Sequence, residues 1–591
     1  MVEIGDNTFS QCFPEIETSI RASSFIAIDL EFLGLPSSSY PKSVSLFDSP
    51  SERYIKLCQS VKKFPPCQLG IACFKEVGNS FKVDIFTIHL FKRLCKRVFS
   101  FSLSALTFLA HNNFDFNKFV SEGVTYLNKN EFSSIKREII NGTFDYDTLT
   151  DNLEKRLEML KMKILLEATV EDEPLKRESE TAEKTSFCRD ERVRLARPLL
   201  IELCTKDCHE EEAFDASGGE SEAVLWDCAL SSVEAAAVVH VLSNEFPFFD
   251  FQVDPSKTLL YVAETPLIFR NSSERKRHKT HLKSFLNEML GVSRIFQTIS
   301  ETKKPAVGHN SLLDFMYIYN YFEAELPETY AEWKTSMTAS FPTVIDTKVL
   351  ASSLQDHFSS QGVGDLSLQT IGNYFESPSC GAILPFDPPQ IVIGDHMPSS
   401  FLEDKQFHNA GYDALVTGQI FIKMAHLYAF SKCSSQDPST FPWPFQKLLI
   451  VLKSKVSNRI PIPLIDSQHC YLLGEDPVGK RPDIIQIRKR RNLQWPRYFS
   501  ENEAFIQFFE RLADSVFPPI AVELEECLRL QDDLSRILGG FRVEVRTDGS
   551  NLLLATNTPK RFGVSLESAI FSRPTMTITL PITHQKVTIS Y

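Results

Sequence analysis

Two carboxylates close an apolar run near the start of the chain. In the stretch "SSFIAIDLEF", five mostly apolar, β-favouring residues end in Asp29, and Glu31 follows two residues later. Residues at i and i+2 of a strand point to one face, so we expect the two carboxylates to lie side by side. Burying them unpaired costs on the order of several kcal/mol. The pattern therefore predicts nearby cations, either Lys/Arg partners or a divalent metal.

Two further acids lie in apolar surroundings. Asp314 sits inside "VGHNSLLDFMYIYNYF", where the preceding Gly, Asn and Ser residues predict a turn and an N-cap just before the acid. Asp413 opens a helix in "FHNAGYDALVTGQIFIKMAHLYAF", and His408 lies five residues earlier. His408 and Asp413 converge only if the histidine lies on the loop before that helix, which the sequence "NAG" favours.

The evidence for a functional site is that these acids and the histidine occur together, in the order D-x-E, D and H-x4-D along the chain. Each residue alone has a common structural interpretation, as a paired acid or as a histidine satisfied in the core. Four carboxylates in apolar contexts together with one His indicate a metal site. Hard oxygen ligands of this kind suit Mg²⁺ or Mn²⁺ rather than zinc.

Composition limits the class of protein. The chain has 591 residues, 43% of them hydrophobic and 24% charged, which is typical of a globular protein with two to four domains. The net charge of -13 excludes a surface that is basic throughout, but not a local basic channel. Thirteen cysteines without a CxxC pair predict reduced thiols in an intracellular protein. We find neither a signal peptide nor an 18-residue apolar stretch, so we expect no membrane span.

The chain divides by pattern into four parts. Residues 1–165 look like the first part of an α/β domain, including a β-hairpin formed by "CQLGIACFK" and "FKVDIFTIHLF". Residues 166–270 contain an acidic, flexible insertion with a short helix near residues 193–203, and then a small module of one helix and two strands. The α/β pattern continues through residues 271–432. Residues 445–591 are predicted to form a smaller α+β unit.

Several motifs in the correct order resemble the DEDDh exonucleases, and in detail the poly(A)-specific ribonuclease (PARN) branch. The matching stretches are "FIAIDLEFLGL", "FLAHNNFDFNKF" with "GVTYLN", "GHNSLLDFMYIYNYF", "FPTVIDTKVLAS" and "HNAGYDALVTGQIF". They cover most of residues 20–165 and 300–430. The resemblance implies an RNase-H-like α/β fold, a mixed sheet flanked by helices and interrupted by a small inserted module of a degenerate nucleic-acid-binding type.

The resemblance also implies the chemistry. By this resemblance, we expect the chain to be a 3′-to-5′ exoribonuclease that binds two Mg²⁺ or Mn²⁺ ions and releases 5′-mononucleotides from single-stranded RNA. The metal-binding acids would be Asp29, Glu31, Asp314 and Asp413, with His408 as the general base. The residues that match the family's substrate contacts are Phe32, Leu35, Phe114, Asn310 and Lys348. Core packing is an equal alternative for Phe114.

The sequence departs from the family's deadenylases in its accessory modules. Ala235 and Ala236 occupy positions where the inserted module would carry basic side chains, and no aromatic RNA-binding strand is evident in residues 445–591. These features favour 3′-end trimming of small RNA precursors of the piRNA type, with poly(A) deadenylation as the alternative. A catalytically silent RNA-binding scaffold is a remote third hypothesis. The family further suggests a homodimer, PIWI- or Argonaute-bound RNA as substrate, and a cytoplasmic location, with the nucleus and RNA granules as alternatives.

Overall fold

The structure, a computed structural model, describes most of residues 2–477 and five short strands beyond them. The described residues are 2–35, 48–93, 100–150, 153–169, 199–202, 229–247, 249–254, 257–264, 270–377, 384–394, 406–433, 437–462, 469–477, 484–487, 543–547, 552–556, 575–579 and 586–590. The α-helices are α1 (Asp6–Ala22), α2 (Pro50–Val61), α3 (Leu103–His111), α4 (Phe116–Glu122), α5 (Lys129–Ile140), α6 (Leu153–Thr169), α7 (Ser232–Glu245), α8 (Arg270–Leu290), α9 (Ser293–Thr302), α10 (Leu312–Ile318), α11 (Tyr330–Ser340), α12 (Thr347–Ser353), α13 (Gln355–Ser360), α14 (Leu368–Glu376), α15 (Ala410–Lys432) and α16 (Phe445–Leu452). The strands are β1 (Val2–Ile4), β2 (Phe25–Phe32), β3 (Pro66–Val77), β4 (Ser80–His89), β5 (Leu199–Glu202), β6 (Phe249–Val253), β7 (Leu259–Glu264), β8 (Ala306–Gly308), β9 (Val344–Asp346), β10 (Gln390–Ile393), β11 (Arg459–Pro461), β12 (His469–Tyr471), β13 (Ile484–Ile487), β14 (Val543–Thr547), β15 (Leu552–Thr556), β16 (Thr575–Thr579) and β17 (Lys586–Ser590).

A mixed sheet of seven strands organises the nuclease part of the chain. Its order is β1-β4-β3-β2-β8-β9, and β10 also pairs with β4. Strands β3 and β4 form the predicted antiparallel hairpin, whose turn contains Gly78 at a φ of 60°. Strand β2 pairs antiparallel with β3 and parallel with β8. The residues before and after the insertion therefore meet in one sheet.

Strand β2 is buried on both faces, as its sequence predicts. Alternate residues Ile26 and Ile28 join a core formed with α1, α2, α9 and α10. Phe25 and Ala27 join a second core on the other face, formed with α12, α14, α15 and α16. Because the strand is enclosed by helices on both sides, the carboxylates at its end have little contact with water.

The inserted module has a core of its own. Helix α7 and strands β6 and β7 confirm the predicted helix and two strands, and they pack with α5, α6 and α8. Ala235 is buried and Ala236 is half-buried against this core. The helix predicted near residues 193–203 is wrong at its end, because residues 199–202 form β5 and pair antiparallel with β7. The remainder of the acidic insertion lies outside the described residues.

Residues beyond 445 do not separate from the nuclease where the sequence suggested. Phe445 and Leu448 of α16 pack in the same core as Phe25, and Ile460 of β11 lies in the core on the opposite face of the sheet. Phe445 also contacts the rings of Phe25 in β2 and Phe81 in β4, so this segment extends the nuclease domain. Further along, the described strands form two small sheets, β13-β15-β14 and β16-β17. None of the helices in the described residues combines the length and apolar character needed to cross a bilayer.

Candidate active site

Asp29 and Glu31 lie at the end of β2 in the middle of the sheet. Across the antiparallel pairing with β3, Asp29 faces Gly70 and Glu31 faces Gln68. The alternation of the strand puts both carboxylates on one face, as the i, i+2 spacing predicts. Strand β3 pairs with both acids, whereas β8 pairs with β2 only at Ile26 and Ala27, just before them.

Asp314 reaches the same place from a helix. It lies in the first turn of α10, and its Oδ1 accepts a hydrogen bond from the backbone N–H of Leu30 at 3.2 Å. Leu30 stands between Asp29 and Glu31 in the strand. This hydrogen bond therefore connects the start of α10 to the acidic end of β2.

His408 lies on the loop before α15, as the convergence of His408 and Asp413 requires. Asn409 caps the helix, and its side-chain oxygen accepts the N–H groups of Gly411 at 3.1 Å and Tyr412 at 3.3 Å. His408 adopts a φ of 70°, which is uncommon for a residue with a side chain. In this conformation the backbone N–H of His408 donates to Oδ2 of Asp413 at 2.9 Å.

The turn that carries His408 is pressed closely against the sheet. A Cβ atom at Gly70 would lie 1.8 Å from the backbone oxygen of Ala410, so β3 tolerates only glycine there. The amide N–H of Ala410 donates to Oε1 of Gln68 at 2.9 Å. This buried bond satisfies one of the N–H groups that the start of a helix leaves without an intrahelical partner. Gln68 and Gly70 together fix the distance between α15 and the sheet.

The acidic side chains converge on one point. Ligand atoms of Glu31, His408 and Asp413 all lie within 4.8 Å of one another. Burial, followed by the charges of Asp413 and Asp314, raises the pKa of both Asp29 and Glu31 well above the ordinary range. Burial also raises the pKa of Asp314 and that of Asp413 to about 7. Each carboxylate is thus destabilised in its charged form.

The site fits a divalent cation. Among the described residues, no Lys or Arg forms an ion pair with any of these four acids. Oδ1 of Asp413 is buried and, within the part of the chain that the structure describes, has no hydrogen-bond partner. A buried carboxylate oxygen without a partner, surrounded by other acids, is the environment that a metal ion stabilises and that a side-chain cation does not fill here. Of the two alternatives in the sequence, the structure favours the metal.

The imidazole of His408 contacts an aromatic ring from another part of the chain. The rings of Phe108 and His408 lie edge to face with their centroids 4.7 Å apart. Phe108 belongs to α3 and is 45% exposed, so this helix forms one wall beside the histidine. Partial burial lowers the pKa of His408. The imidazole is consequently neutral at physiological pH and able to accept a proton.

Three of the residues expected to contact substrate differ in their exposure and packing. Phe32 stacks on Tyr317 with ring centroids 4.2 Å apart, and Leu35 is 49% exposed. Phe114 packs edge to face against Phe116 at 5.0 Å and is part of a small apolar cluster, so packing is at least part of its role. Phe32 is the last residue of β2, Leu35 follows that strand and Phe114 precedes α4.

Asn310 and Lys348 are connected through a residue that the sequence analysis did not select. The backbone N–H groups of both donate to Oδ1 of Asp346, at 3.1 Å and 2.9 Å. Asp346 ends β9, next to Gly308 at the end of β8. Its signal in "FPTVIDTKVLAS" was an acid at the end of an apolar strand and directly before a helix. Gln68 gave no such signal, because its partner Ala410 is distant in sequence.

The fold and the site together define the class of protein to which this chain belongs. A mixed sheet with a buried cluster of acids and one histidine at the end of its central strand is the arrangement of the RNase-H-like nucleases. Residues 4–421 match the model of the family described as "CAF1 family ribonuclease". The chain therefore belongs to the CAF1 ribonuclease family, within its PARN-like branch, and the RNase-H-like fold predicted from the sequence is confirmed.

Named relatives extend over most of the chain. The "3'-5' exoribonuclease parn-1" of Caenorhabditis elegans is 29% identical and aligns with 96% of this chain and 89% of its own length. "Poly(A)-specific ribonuclease PARN" of Homo sapiens is 25% identical over 92% of this chain and 79% of the relative. The "Pre-piRNA 3'-exonuclease trimmer" of Bombyx mori is 24% identical over 82% of each chain. The enzyme is a 3′-to-5′ exoribonuclease of the PARN and CAF1 class.

Proposed function

We propose that this enzyme shortens single-stranded RNA from a free 3′ hydroxyl and releases 5′-mononucleotides, using the acidic site at the end of β2. The observation that carries the proposal is the convergence of Glu31, His408 and Asp413, whose ligand atoms lie within 4.8 Å of one another. Asp29 and Asp314 add two half-buried acids to the same electrostatic cluster. A structural role would not require this concentration of uncompensated negative charge.

The residues that would hold metal are Asp29, Glu31, Asp314 and Asp413. Two Mg²⁺ or Mn²⁺ ions bound there would neutralise the acids, activate a water molecule and stabilise the charge on the leaving 3′ oxygen. The protein's own contribution is to keep the four carboxylates in place before the metal binds. The bond from Leu30 to Asp314 and the packing of Ala410 on Gly70 do this from two separate elements.

His408 would act as the general base. Its backbone N–H is fixed to Asp413, which keeps the imidazole beside the carboxylates. Its lowered pKa leaves the ring neutral near pH 7, so that it can take a proton from the attacking water. The edge-to-face contact with Phe108 limits the rotation of the ring. Proton acceptance at a fixed position is the task that this arrangement suits.

The terminal nucleotides would lie across the residues that follow β2. Leu35 is half-exposed, and the ring of Phe32 is supported from behind by Tyr317, so both can contact bases without rearranging. Base stacking on such groups contributes about 1–3 kcal/mol per base and tolerates any sequence. Asn310 supplies a hydrogen-bonding side chain and Lys348 a positive charge for phosphate. Phe114 would add a further apolar surface from beside α4.

For the physiological RNA we favour 3′-end trimming of small RNA precursors. The relative from Bombyx mori is named for pre-piRNA, and the human relative for poly(A), so both classes of substrate occur among similar proteins. Trimming is supported by the inserted module, where Ala235 is buried and Ala236 half-buried in place of basic surface residues. The substrate would then be RNA bound to a PIWI or Argonaute protein. A homodimer in the cytoplasm is the corresponding proposal for assembly and location.

The choice of substrate can be tested with four oligonucleotides of equal length. We expect oligo(A) and oligo(U) to be degraded at rates within about tenfold of each other, because stacking contacts discriminate weakly between bases. A 2′-O-methyl group on the terminal ribose of either oligonucleotide should slow the reaction, since it crowds the 2′-hydroxyl that distinguishes RNA. Degradation of oligo(A) thousands of times faster than oligo(U) would instead establish a poly(A) deadenylase.

A further inference from the structure

Asp346 is a fully buried acid that is not one of the four at the end of β2. It is the last residue of β9 and has no exposed surface. Burial raises the pKa of its carboxyl group, against the hydrogen bonds it accepts from Ser311, Asn310 and Lys348. Burying a carboxylate costs hydration free energy that an apolar residue of similar size would not lose, so its presence here indicates a specific role.

Four protein donors occupy all of its acceptor positions. Oδ1 accepts the backbone N–H groups of Asn310 at 3.1 Å and Lys348 at 2.9 Å. Oδ2 accepts both the backbone N–H and the hydroxyl of Ser311, each at 2.8 Å. A carboxylate has about four lone-pair positions, so no acceptor remains for a metal ion. Asp413, by contrast, keeps one oxygen that no described residue contacts through a hydrogen bond.

The donors belong to two segments that are distant in sequence. One is the turn after β8, in which Asn310 has a φ of 57° and Ser311 precedes α10. The other is the start of α12, where Asp346 is the N-cap and Lys348 is in the first turn. A Cβ at Gly308 would lie 2.5 Å from Cβ of Ser311, so this turn is folded tightly toward Asp346.

We propose that Asp346 is a positioning residue that sets the separation between Asn310 and Lys348, and thereby the binding of the terminal nucleotide. This inference rests on the proposed function, since it takes those two residues as substrate contacts. Asp346 reaches both through a single oxygen, so that the base-contacting turn and the phosphate-contacting helix cannot move independently. Because α10 also carries Asp314, the same turn connects the substrate contacts to the acidic site.

The carboxylate cannot be replaced by its amide without loss. In either orientation, the amide group of an Asn side chain would face at least one of the three backbone N–H groups, donor against donor. An unsatisfied buried donor is costly, and the two segments would separate to relieve it. The substitution Asp346→Asn therefore keeps the shape of the side chain and alters only the contacts that define the proposed role.

The test is the affinity for an RNA 3′ end, measured with the full chain and a fluorescent single-stranded oligonucleotide, with Ca²⁺ in place of Mg²⁺ to prevent cleavage. Asp346→Asn should raise the Kd roughly tenfold. In a chain that already carries Asn310→Ala and Lys348→Ala, the same substitution should change the Kd by less than about twofold, because the side chains that Asp346 positions are absent.

A matched control is available in Asn128, a buried N-cap of α5. Its Oδ1 accepts the N–H groups of Asn130 at 3.1 Å and Glu131 at 3.0 Å, and it does not contact the acidic site. Asn128→Ala should lower the melting temperature without changing the Kd for RNA. An unchanged Kd in Asp346→Asn, or an equal increase in the doubly substituted background, would overturn the positioning role. A wild-type chain that binds no RNA would overturn the proposed function as well, which distinguishes the two failures.

Discussion

The backbone N–H of His408 donates to the Asp413 carboxylate at 2.9 Å, across the cap of α15. One oxygen of Asp413 is thereby occupied, while the other is buried and has no partner among the described residues. The proposed metal-binding acid and the proposed general base are thus held by the same turn. Because the donor is the backbone N–H of His408, the His408 side chain can be replaced without removing this hydrogen bond, whereas replacing Asp413 removes it.

Replacing His408 tests the base directly. His408→Ala should lower the rate of the chemical step by roughly 10²–10⁴, because a general base acts only in the transition state. The Kd for RNA should change little. Single-turnover rates and RNA affinity measured on the same preparation separate the two effects. His357→Ala is a suitable control, since His357 is a partly buried histidine that contacts Tyr374 instead of the acids. A variant whose defect is mainly in RNA affinity would show that His408 is a substrate contact.

Neutralising one acid should stabilise the metal-free protein. Asp29 is half-buried beside three other carboxylates, and its desolvation together with their charges raises its pKa. Asp29→Asn removes one of the repelling charges, so in EDTA its melting temperature should exceed that of the wild type. The stabilisation by Mg²⁺ and the exoribonuclease activity should both be lost. Asp437→Asn, at an exposed helix cap, should leave all three quantities unchanged. A fall in the melting temperature of Asp29→Asn in EDTA would argue against mutual repulsion.

The stability of the metal-free protein should decrease as the pH rises. Asp314 and Asp413 have folded pKa values of about 7 against an ordinary value of 3.8, so the folded state binds more protons than the unfolded state between those values. Stability must then fall from about pH 4 to about pH 7 and level off above. Mg²⁺ binds the ionised acids, so the increase in melting temperature that it causes should grow over the same range. An increase of equal size at both ends of that range would contradict the pKa values.

The close packing of α15 on the sheet gives a prediction about Gly70. Gly70→Ala places a Cβ atom 1.8 Å from the backbone oxygen of Ala410, and α15 must move away. We expect a loss of stability of at least about 1–3 kcal/mol, together with loss of activity, because His408 and Asp413 move with the helix. Gly364→Ala, where a Cβ would meet no atom within 4 Å, is the control. Unfolding in urea measures the stability of each variant, and a cleavage assay measures its activity. Normal activity in a stably folded Gly70→Ala chain would contradict the packing argument.

The positions of the main acids could be predicted from sequence because local rules determine them. The two-residue period of a strand puts Asp29 beside Glu31, and the helix start after "GHNS" places Asp314 in a first turn. The position of His408 could be stated only as a condition, that it lies on the loop before α15. The structure meets this condition through Asn409, whose cap starts the helix one residue later.

The remaining features depend on contacts between distant parts of the chain. Gln68 is an amide inside an apolar strand, and only its bond to Ala410, 342 positions away, shows why it is there. Strand β5 was missed for a similar reason, since four residues become a strand by pairing with β7. Phe108 reaches His408 from an exposed part of α3, which no local pattern indicates.

If the acids around the end of β2 form a metal-dependent exonuclease site, a single time course of RNA degradation will show it. The full chain is incubated with a single-stranded RNA labelled at its 5′ end, with Mg²⁺ and with EDTA, beside the Asp29→Asn variant. We predict a ladder of products that shorten progressively from the 3′ end, with 5′-mononucleotides released, only in wild type with Mg²⁺. Full activity in EDTA, or internal cleavage without progressive shortening, would contradict it.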